Sequence, residues 1–571
     1  MSDDFAVVGR NPDAPFTLKI HRGDGMVLLG MNWKGGKKPP ADFVGFAIEF
    51  RAPGAQKFFA LHNRLTFPGA DAGDPKAHSS LRAPIQKFRW VHFPFNAELA
   101  GAFTYRVTPA FMNDADTLRY GEAQTADVVL ARETYPGKLN IAFSRGFVSS
   151  QAFVDRYESR GPVNTLVPTT DAKFGLDFTP THRDKTKALR WMGFEARSAI
   201  LELLDEAVAD ETVSVQVVAY DLNQPEIVDR LKKLGARLRI IVDDSDAHGE
   251  SDSAEAKAVQ ILAGSAGATN VKRQHLGGLQ HNKTIVVSGP DVAKVACGST
   301  NFTWRGLYVQ NNNAAVLTGA AAVRAFSAAF ESYWANDKAA AFAKTSTAPW
   351  TDLELPGIDA QVSFSPHTSS TALLAAIGKD IADNTTSSLL YSLAFLGKTT
   401  GAIRDAVTEV TERDDRFVYG IADSKVGGIK IQKPDGNVQP VSPNALSGQV
   451  PPPFKVEPTG GSGVRMHHKF VVIDFDKPTA RVYLGSYNFS PAADRSNGEN
   501  LLLIRDRRVA VSYMVEALRL FDHYHFRAKQ TAASATTELV LRRPPRTAGE
   551  KPWWDEHFTN GQKVRDRKLF S

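Results

Sequence analysis

Two different hydrophobic periods run along this chain, and the switch between them divides it. Up to about residue 160 the apolar runs are short and strand-like: Phe16 to Ile20, Phe43 to Phe50 and Phe103 to Thr108. Gly, Pro and Asp turns separate them without a helical period, a pattern that predicts an all-β sandwich. From about residue 175 longer amphipathic stretches appear. Lys185 to Ala209 carries Leu189, Met192, Ile200, Leu203 and Leu204 on one side, as a helix against a core does. A strand is predicted over Val213 to Tyr220, a short helix over Pro225 to Leu234 and a second strand over Arg237 to Val242. The same order returns later: helix Thr371 to Asn384, strand Ser388 to Ser392, helix Ala402 to Val410, strand Arg416 to Ile421. Strands alternating with helices predict an α/β fold with a parallel-rich sheet covered on both faces.

The second order is a repeat in residues as well as in period. Leu279-Gln280-His281-Asn282-Lys283 followed by Thr284 to Val287 is echoed by Arg465-Met466-His467-His468-Lys469 followed by Phe470 to Ile473. Gly298-Ser299-Thr300-Asn301 then returns as Gly485-Ser486-Tyr487-Asn488. His281 and His467 are 186 residues apart, and Asn301 and Asn488 are 187 apart. So long a period means a duplicated domain, since solenoid and propeller repeats run roughly 20–50 residues. Phe178-Thr179-Pro180 and Phe364-Ser365-Pro366, also 186 apart, are expected to open the two halves.

What the repeat keeps is chemistry. His and Lys two apart on a strand point to one face. Two copies brought together would place two imidazoles, two ammonium groups and two amides in one cleft. Cations and amide donors suit the non-bridging oxygens of a phosphodiester; one imidazole can attack phosphorus while the other protonates the leaving oxygen. No Cys/His metal spacing accompanies the motifs, so this arrangement requires neither metal nor cofactor.

These residues resemble the phospholipase D superfamily, marked by His-x-Lys-x4-Asp and Gly-Ser-x-Asn in two copies per active site. The second copy matches in full with His467, Lys469, Asp474, Gly485, Ser486 and Asn488, and Glu499 follows where many members carry an acid. The first copy departs twice: Ser288 stands at the motif Asp, and Asn312 at the position equivalent to Glu499. The likeness covers roughly residues 175–530 and implies two α/β halves sharing one cleft, with a phosphohistidine intermediate. The expected catalytic residues are His281, Lys283, His467, Lys469, Asp474 and Glu499. Asn301, Asn488, Ser299 and Ser486 are expected to bind phosphate. If Glu499 orients His467, and Asn312 or Gln310 faces His281, then His281 is the nucleophile and His467 the general acid.

The substrate is less legible. Members of the superfamily cleave phospholipids, exchange lipid headgroups or cut nucleic acid. A phospholipid headgroup or membrane surface is the expected partner, with single- or double-stranded nucleic acid as the alternative and no obligate protein partner evident. The basic run Lys272-Arg273-Gln274-His275 and a likeness of the second half to small bacterial nucleases of the superfamily suit that alternative. Ser288 also admits a catalytically decayed, phosphate-binding protein.

Composition changes this picture little. The net charge is +6, from 68 basic and 62 acidic residues, so anionic partners are permitted without being identified. Cys297 is the sole cysteine, which rules out an intrachain disulfide and reads as a small buried hydrophobe. With neither a signal peptide nor a membrane-length apolar run, a cytoplasmic location is expected. Gly161 to Thr165 and Thr345 to Pro349 mark boundaries. The expected domains are an immunoglobulin- or fibronectin-like sandwich over 1–160, halves over 175–345 and 355–535, and a tail over 536–571. Ser424 to Val464, rich in Gly and Pro, is expected to be a lid or binding rim. In the tail, Trp553 and Trp554 are expected to clamp back over a domain surface.

Overall fold

The computed structural model describes residues 5–69, 78–94, 96–130, 133–146, 151–168, 172–396, 400–422, 466–532 and 539–571. The expected lid over Ser424 to Val464 lies outside the described residues. The chain is mixed α/β with several sheets, and two seven-stranded sheets dominate it.

The first of these sheets runs in the order Leu139–Phe143, Asn313–Thr318, Ala293–Gly298, Lys283–Ser288, Ser214–Ala219, Leu238–Val242, Val271–Arg273. The second runs Thr351–Asp352, Asp359–Ser365, Glu499–Arg505, Arg481–Gly485, Lys469–Ile473, Ser388–Leu393, Phe417–Ile421. Six positions correspond strand for strand, and both motif strands sit in the interior of their sheets. Every residue of Lys469–Ile473 is buried, as are Lys283 to Val287.

The sheets are not parallel-rich. Ser214–Ala219, Leu238–Val242 and Val271–Arg273 run parallel, as do Ser388–Leu393 and Phe417–Ile421; the other pairings are antiparallel. The reason is connection length. Each motif strand returns to its neighbour through a short turn, from Ser288 to Ala293 and from Ile473 to Arg481, and a parallel return needs a crossover of a dozen or more residues.

Phe364 and Ser365 lie on a strand paired with Asn500 and Glu499. The strand in the corresponding place is Leu139–Phe143, with Phe143 opposite Asn313. Phe178 to Pro180 lies off the sheet, so the residues in matching strand positions are Phe143-Ser144 and Phe364-Ser365. An inserted stretch between Phe143 and the helix Lys185–Ala209 hid this equivalence from a fixed-period comparison.

One core joins the two sheets. It takes Val286, Val295 and Leu317 from the first, Phe364, Val472 and Leu502 from the second, and the helices Ala320–Ala335 and Arg507–Ala532 between them. Separate cores under Lys185–Ala209, Pro225–Leu234 and Ala254–Ala266, and under Leu374–Asn384 and Ala402–Thr411, close the outer faces. Among the described residues no helix is long and apolar enough to cross a membrane.

The amino-terminal strands form a four-stranded and a five-stranded sheet. Phe16, Ile20 and Leu29 from one meet Phe46, Phe103 and Val107 from the other in a common core. Trp553 and Trp554 complete that core: Trp553 stacks on Phe88 and donates its indole N–H to the Phe43 carbonyl at 3.0 Å. Arg546 pairs with Asp114 and Asp116 beside them. The tail therefore clamps onto the amino-terminal sheets.

Candidate functional site

Each Gly-Ser turn is shaped by its backbone. Gly298 and Gly485 have φ of +138° and +144°, and a Cβ on either would lie 2.6 Å from the Asn313 carbonyl oxygen or 2.3 Å from that of Asn500. Glycine alone fits so close an approach. The next residue is pinned in the same way twice: Ser299 Oγ accepts from Asn313 N, and Ser486 Oγ from Asn500 N, each at 3.0 Å. Ser299 and Ser486 thus hold the turns, with no oxygen surface to spare for a ligand.

The two motifs meet by crossing. His281 Nδ1 lies 2.7 Å from Glu499 Oε2, on the other sheet. His467 Nδ1 lies 2.9 Å from Asn312 Oδ1 and 3.2 Å from the Ser299 carbonyl, both on the first sheet. This reverses the expected partners: Glu499 does not orient His467, and Asn312 does not face His281. Main-chain bonds hold the crossing in place, from His467 N to Asn311 O at 3.1 Å and from Gly498 N to Leu279 O at 2.8 Å. Asn500 Nδ2 adds a bond to Asn282 Oδ1 at 2.8 Å. Sequence offset alone pairs each acid or amide with its own copy, whereas the packing of one sheet against the other hands it to the opposite histidine.

The amide of Asn312 is oriented by its neighbours. Its Nδ2 donates to the Gly306 carbonyl at 2.9 Å and its Oδ1 accepts from Ser299 Oγ at 2.9 Å. Oδ1 therefore faces His467 as an acceptor, so His467 Nδ1 carries the proton. Lys283 Nζ donates to the His281 carbonyl, and Lys469 Nζ to the His467 carbonyl at 2.8 Å. Lys283 also sits 4.6 Å from the centre of the Tyr220 ring, whose face the His281 ring meets edge-on at 4.6 Å.

Burial governs the electrostatics. It pushes Glu499 up to about 8, against the pull of Lys283, Ser486 and Lys469. It lowers Lys283 to about 8 and Lys469 well below the usual range. His281 falls well below its ordinary value through burial first, and then through Lys283 and Lys469; His467 does so by the same causes. The centre is thus held short of its full charge and responds strongly to an arriving anion.

Asp474 is not part of this centre. Its carboxylate accepts from the backbone N–H groups of Thr386, Ser387 and Ser388 at 2.8–3.0 Å, pinning the turn that leads into Ser388–Leu393. These bonds engage the Asp474 carboxylate with that turn.

Other residues join the site without a sequence signal strong enough to find them. Asp221, just past the strand Ser214–Ala219, accepts from Asn301 Nδ2 and lies 2.7 Å from His248 Nε2. His248 Nδ1 is 2.8 Å from Asp243 Oδ2, and Asp243 Oδ1 accepts from Gln280 N at 2.6 Å, next to His281. Burial would lower His248, but the bonds to Asp221 and Asp243 push it up to about 10. Asp221, His248 and Glu255 offer ligand atoms within 4.8 Å of one another. Both nitrogens of His248 are already taken by carboxylates, so it has no lone pair for a metal. The only available clue to them was Asp221 and Asp243 following the ends of adjacent parallel strands, where α/β sheets often build sites.

Two sequence expectations about charge resolve here. The basic run before the first motif is paired locally: Lys272 with Asp337, His275 with Asp244, and Arg273 with the His248 carbonyl. Cys297 is buried, and burial raises its thiol.

The family model for the phospholipase D-like domain of cardiolipin synthase matches residues 200–334 and 449–521. Curated proteins named phospholipase D from Rickettsia felis and Rickettsia prowazekii are each 46% identical over 48 residues, which is 8% of this chain and 22% of theirs. The match therefore spans about a fifth of the length of those relatives. Among solved structures, a phosphatidylserine synthase of Haemophilus influenzae overlaps 58% of this chain and 85% of its own at 14% identity and a TM-score of 0.42. The Nuc protein of Salmonella typhimurium overlaps 24% and 86% at 23% identity and a TM-score of 0.20.

Proposed function

The chain belongs to the phospholipase D superfamily, and from that premise we propose that it hydrolyses phospholipids, or exchanges their headgroups, through a phosphohistidine on His281. The observation that carries this reading is the crossed pair: a histidine on a buried carboxylate opposite a histidine on a neutral amide, with two lysines beside them.

His281, neutral with its Nδ1 proton on Glu499, presents Nε2 to phosphorus. As the N–P bond forms, the positive charge growing on the ring is met by Glu499, which acts fully as a carboxylate only above its raised value of about 8, the service an acid performs for histidine in hydrolytic triads. Lys283, Lys469, Asn488 and the Nδ2 hydrogen of Asn301 that Asp221 leaves free hold the non-bridging oxygens. With the anionic diester bound, His467 takes a second proton from solvent onto Nε2. Its Nδ1 faces an amide that stabilises that charge less than a carboxylate would, and it gives the Nε2 proton to the leaving oxygen as the P–O bond breaks. It then takes a proton from water, or from an alcohol in exchange, whose oxygen displaces His281. The assignment of roles thus survives the exchange of partners, on a different physical ground.

The division of the chain is part of the same proposal. Residues up to about 138, with the tail 536–571, form an immunoglobulin- or fibronectin-like β module. Residues from about 139 to 345 and from 355 to 535 form the two phospholipase D-like halves around one cleft. The phospholipase D names of the rickettsial relatives favour lipid, and the local pairing of the basic run weakens the case for nucleic acid.

The test is product formation by the purified protein without added metal, on phosphatidylcholine vesicles and on single-stranded DNA, with His467→Ala as control. Headgroup release abolished by the substitution supports the proposal; DNA cleavage alone makes the protein a nuclease, and inactivity on both overturns both readings in favour of another phosphodiester or a phosphate-binding relic. Denatured His467→Ala enzyme should carry a phosphatidyl group on His281. A phospho-enzyme in His281→Ala instead would exchange the two roles.

A further inference from the structure

Besides Asn312 and Ser288, the duplication is broken at a further place beside the crossed histidines. Ala219 pairs with Lys283 and Leu393 with Lys469, so Tyr220 and Asp221 correspond to Ala394 and Phe395. The first half therefore sets a carboxylate next to its phosphate-facing asparagine where the second half has a phenyl ring. Asp221 is about one-fifth exposed. A carboxylate only accepts, so its bond to Asn301 fixes the amide with Nδ2 toward Asp221. That leaves Asn301 Oδ1 buried and without a hydrogen-bond partner among the described residues, and Asn301 itself is only 5% exposed. An unpaired buried acceptor costs about 1–3 kcal/mol unless a ligand supplies a donor.

We propose that Asp221 and Asn301 Oδ1 form a subsite for a primary ammonium group carried by the substrate beside its phosphate. Two acceptors, one of them charged, suit an N–H-bearing cation; a quaternary ammonium has no hydrogen to give either of them. A divalent metal is the poorer occupant, because both nitrogens of His248, the nearest neutral ligand type, are spent on Asp221 and Asp243. Asn488 Oδ1 in the second half is likewise buried without a partner among the described residues, so the asymmetry that gives the diester a direction lies in Asp221, whose counterpart is Phe395.

This inference rests on the phosphodiesterase reading, and calorimetric titration separates the two. O-phosphoethanolamine, O-phosphocholine and inorganic phosphate would each be titrated into the wild type and into Asp221→Asn. We expect phosphoethanolamine to bind the wild type about tenfold more tightly than phosphocholine, and the ratio to shrink to about threefold or less in the variant. Equal affinities in the wild type, or an unchanged ratio in a folded variant, would overturn the subsite and make Asp221 an internal counter-charge for His248 and Lys283. The wild-type comparison decides this even if the variant does not fold. If inorganic phosphate itself fails to bind, the phosphodiesterase reading falls first and takes the subsite with it.

Discussion

Asp474 and Glu499 are both buried carboxylates at the second motif, yet they do opposite work. Asp474 spends its oxygens on three backbone N–H groups, so Asp474→Asn should cost about 1–3 kcal/mol of stability and leave kcat per folded molecule nearly intact. Urea unfolding beside a turnover assay checks both halves of that statement. Glu499 supports His281 instead, and Glu499→Gln should lower kcat by about 10–100-fold. Its effect on stability has a sign set by burial. Glu499 is raised from 4.5 to about 8, so the folded state keeps a proton that the unfolded chain sheds between those values. The stabilising contribution is full below the ordinary value and lost as pH rises through about 8. Glutamine has no such loss, and Glu499→Gln should gain thermal stability relative to wild type between about pH 5 and about pH 9. Melting curves at the two ends would show the gap widening; a constant gap would mean that Glu499 titrates normally.

At the scale of elements, the strands Ser214–Ala219 and Leu238–Val242 deliver Asp221 and Asp243 to the two nitrogens of His248. The bridge ties the ends of two parallel strands to Asn301 on one side and to the main chain before His281 on the other. His248 is raised from 6.5 to about 10, so its contribution to stability is complete below 6.5 and lost as pH climbs through about 10. His248→Gln should therefore destabilise the protein near neutral pH by about 2 kcal/mol, with the deficit closing above about pH 10. Denaturant midpoints measured across that range test it, and a deficit independent of pH would assign His248 a packing role only.

Across the whole molecule, residues from opposite ends of the chain share one core. Trp553 and Trp554 fill the space between the amino-terminal sheets with Phe43, Phe46 and Phe88. Trp553→Ala should cost about 3–5 kcal/mol in that core, and near-ultraviolet circular dichroism should report the loss of fixed aromatic packing. Phe570 of the same tail packs on Phe417 and Phe475 beside the second motif sheet, so the loss should lower one common thermal transition. A single unchanged transition would show that the tail contributes little. The strand Leu139–Phe143 follows the amino-terminal strands directly and joins the edge of the first motif sheet.

The duplication, the identities of His281, Lys283, His467, Lys469, Asn301 and Asn488, and the apolar motif strands were all determined by the sequence itself. These are local facts: a period, a pair two apart on a strand, a glycine before a serine. The strand order and its largely antiparallel pairing, the exchange of Glu499 and Asn312 between the two histidines, and the retreat of Asp474 from the centre were decided only by tertiary structure. So was the network through Asp221, His248 and Asp243. Each depends on which side chain one sheet presents to another after packing, and a linear pattern records the face a residue lies on but not the face it will meet.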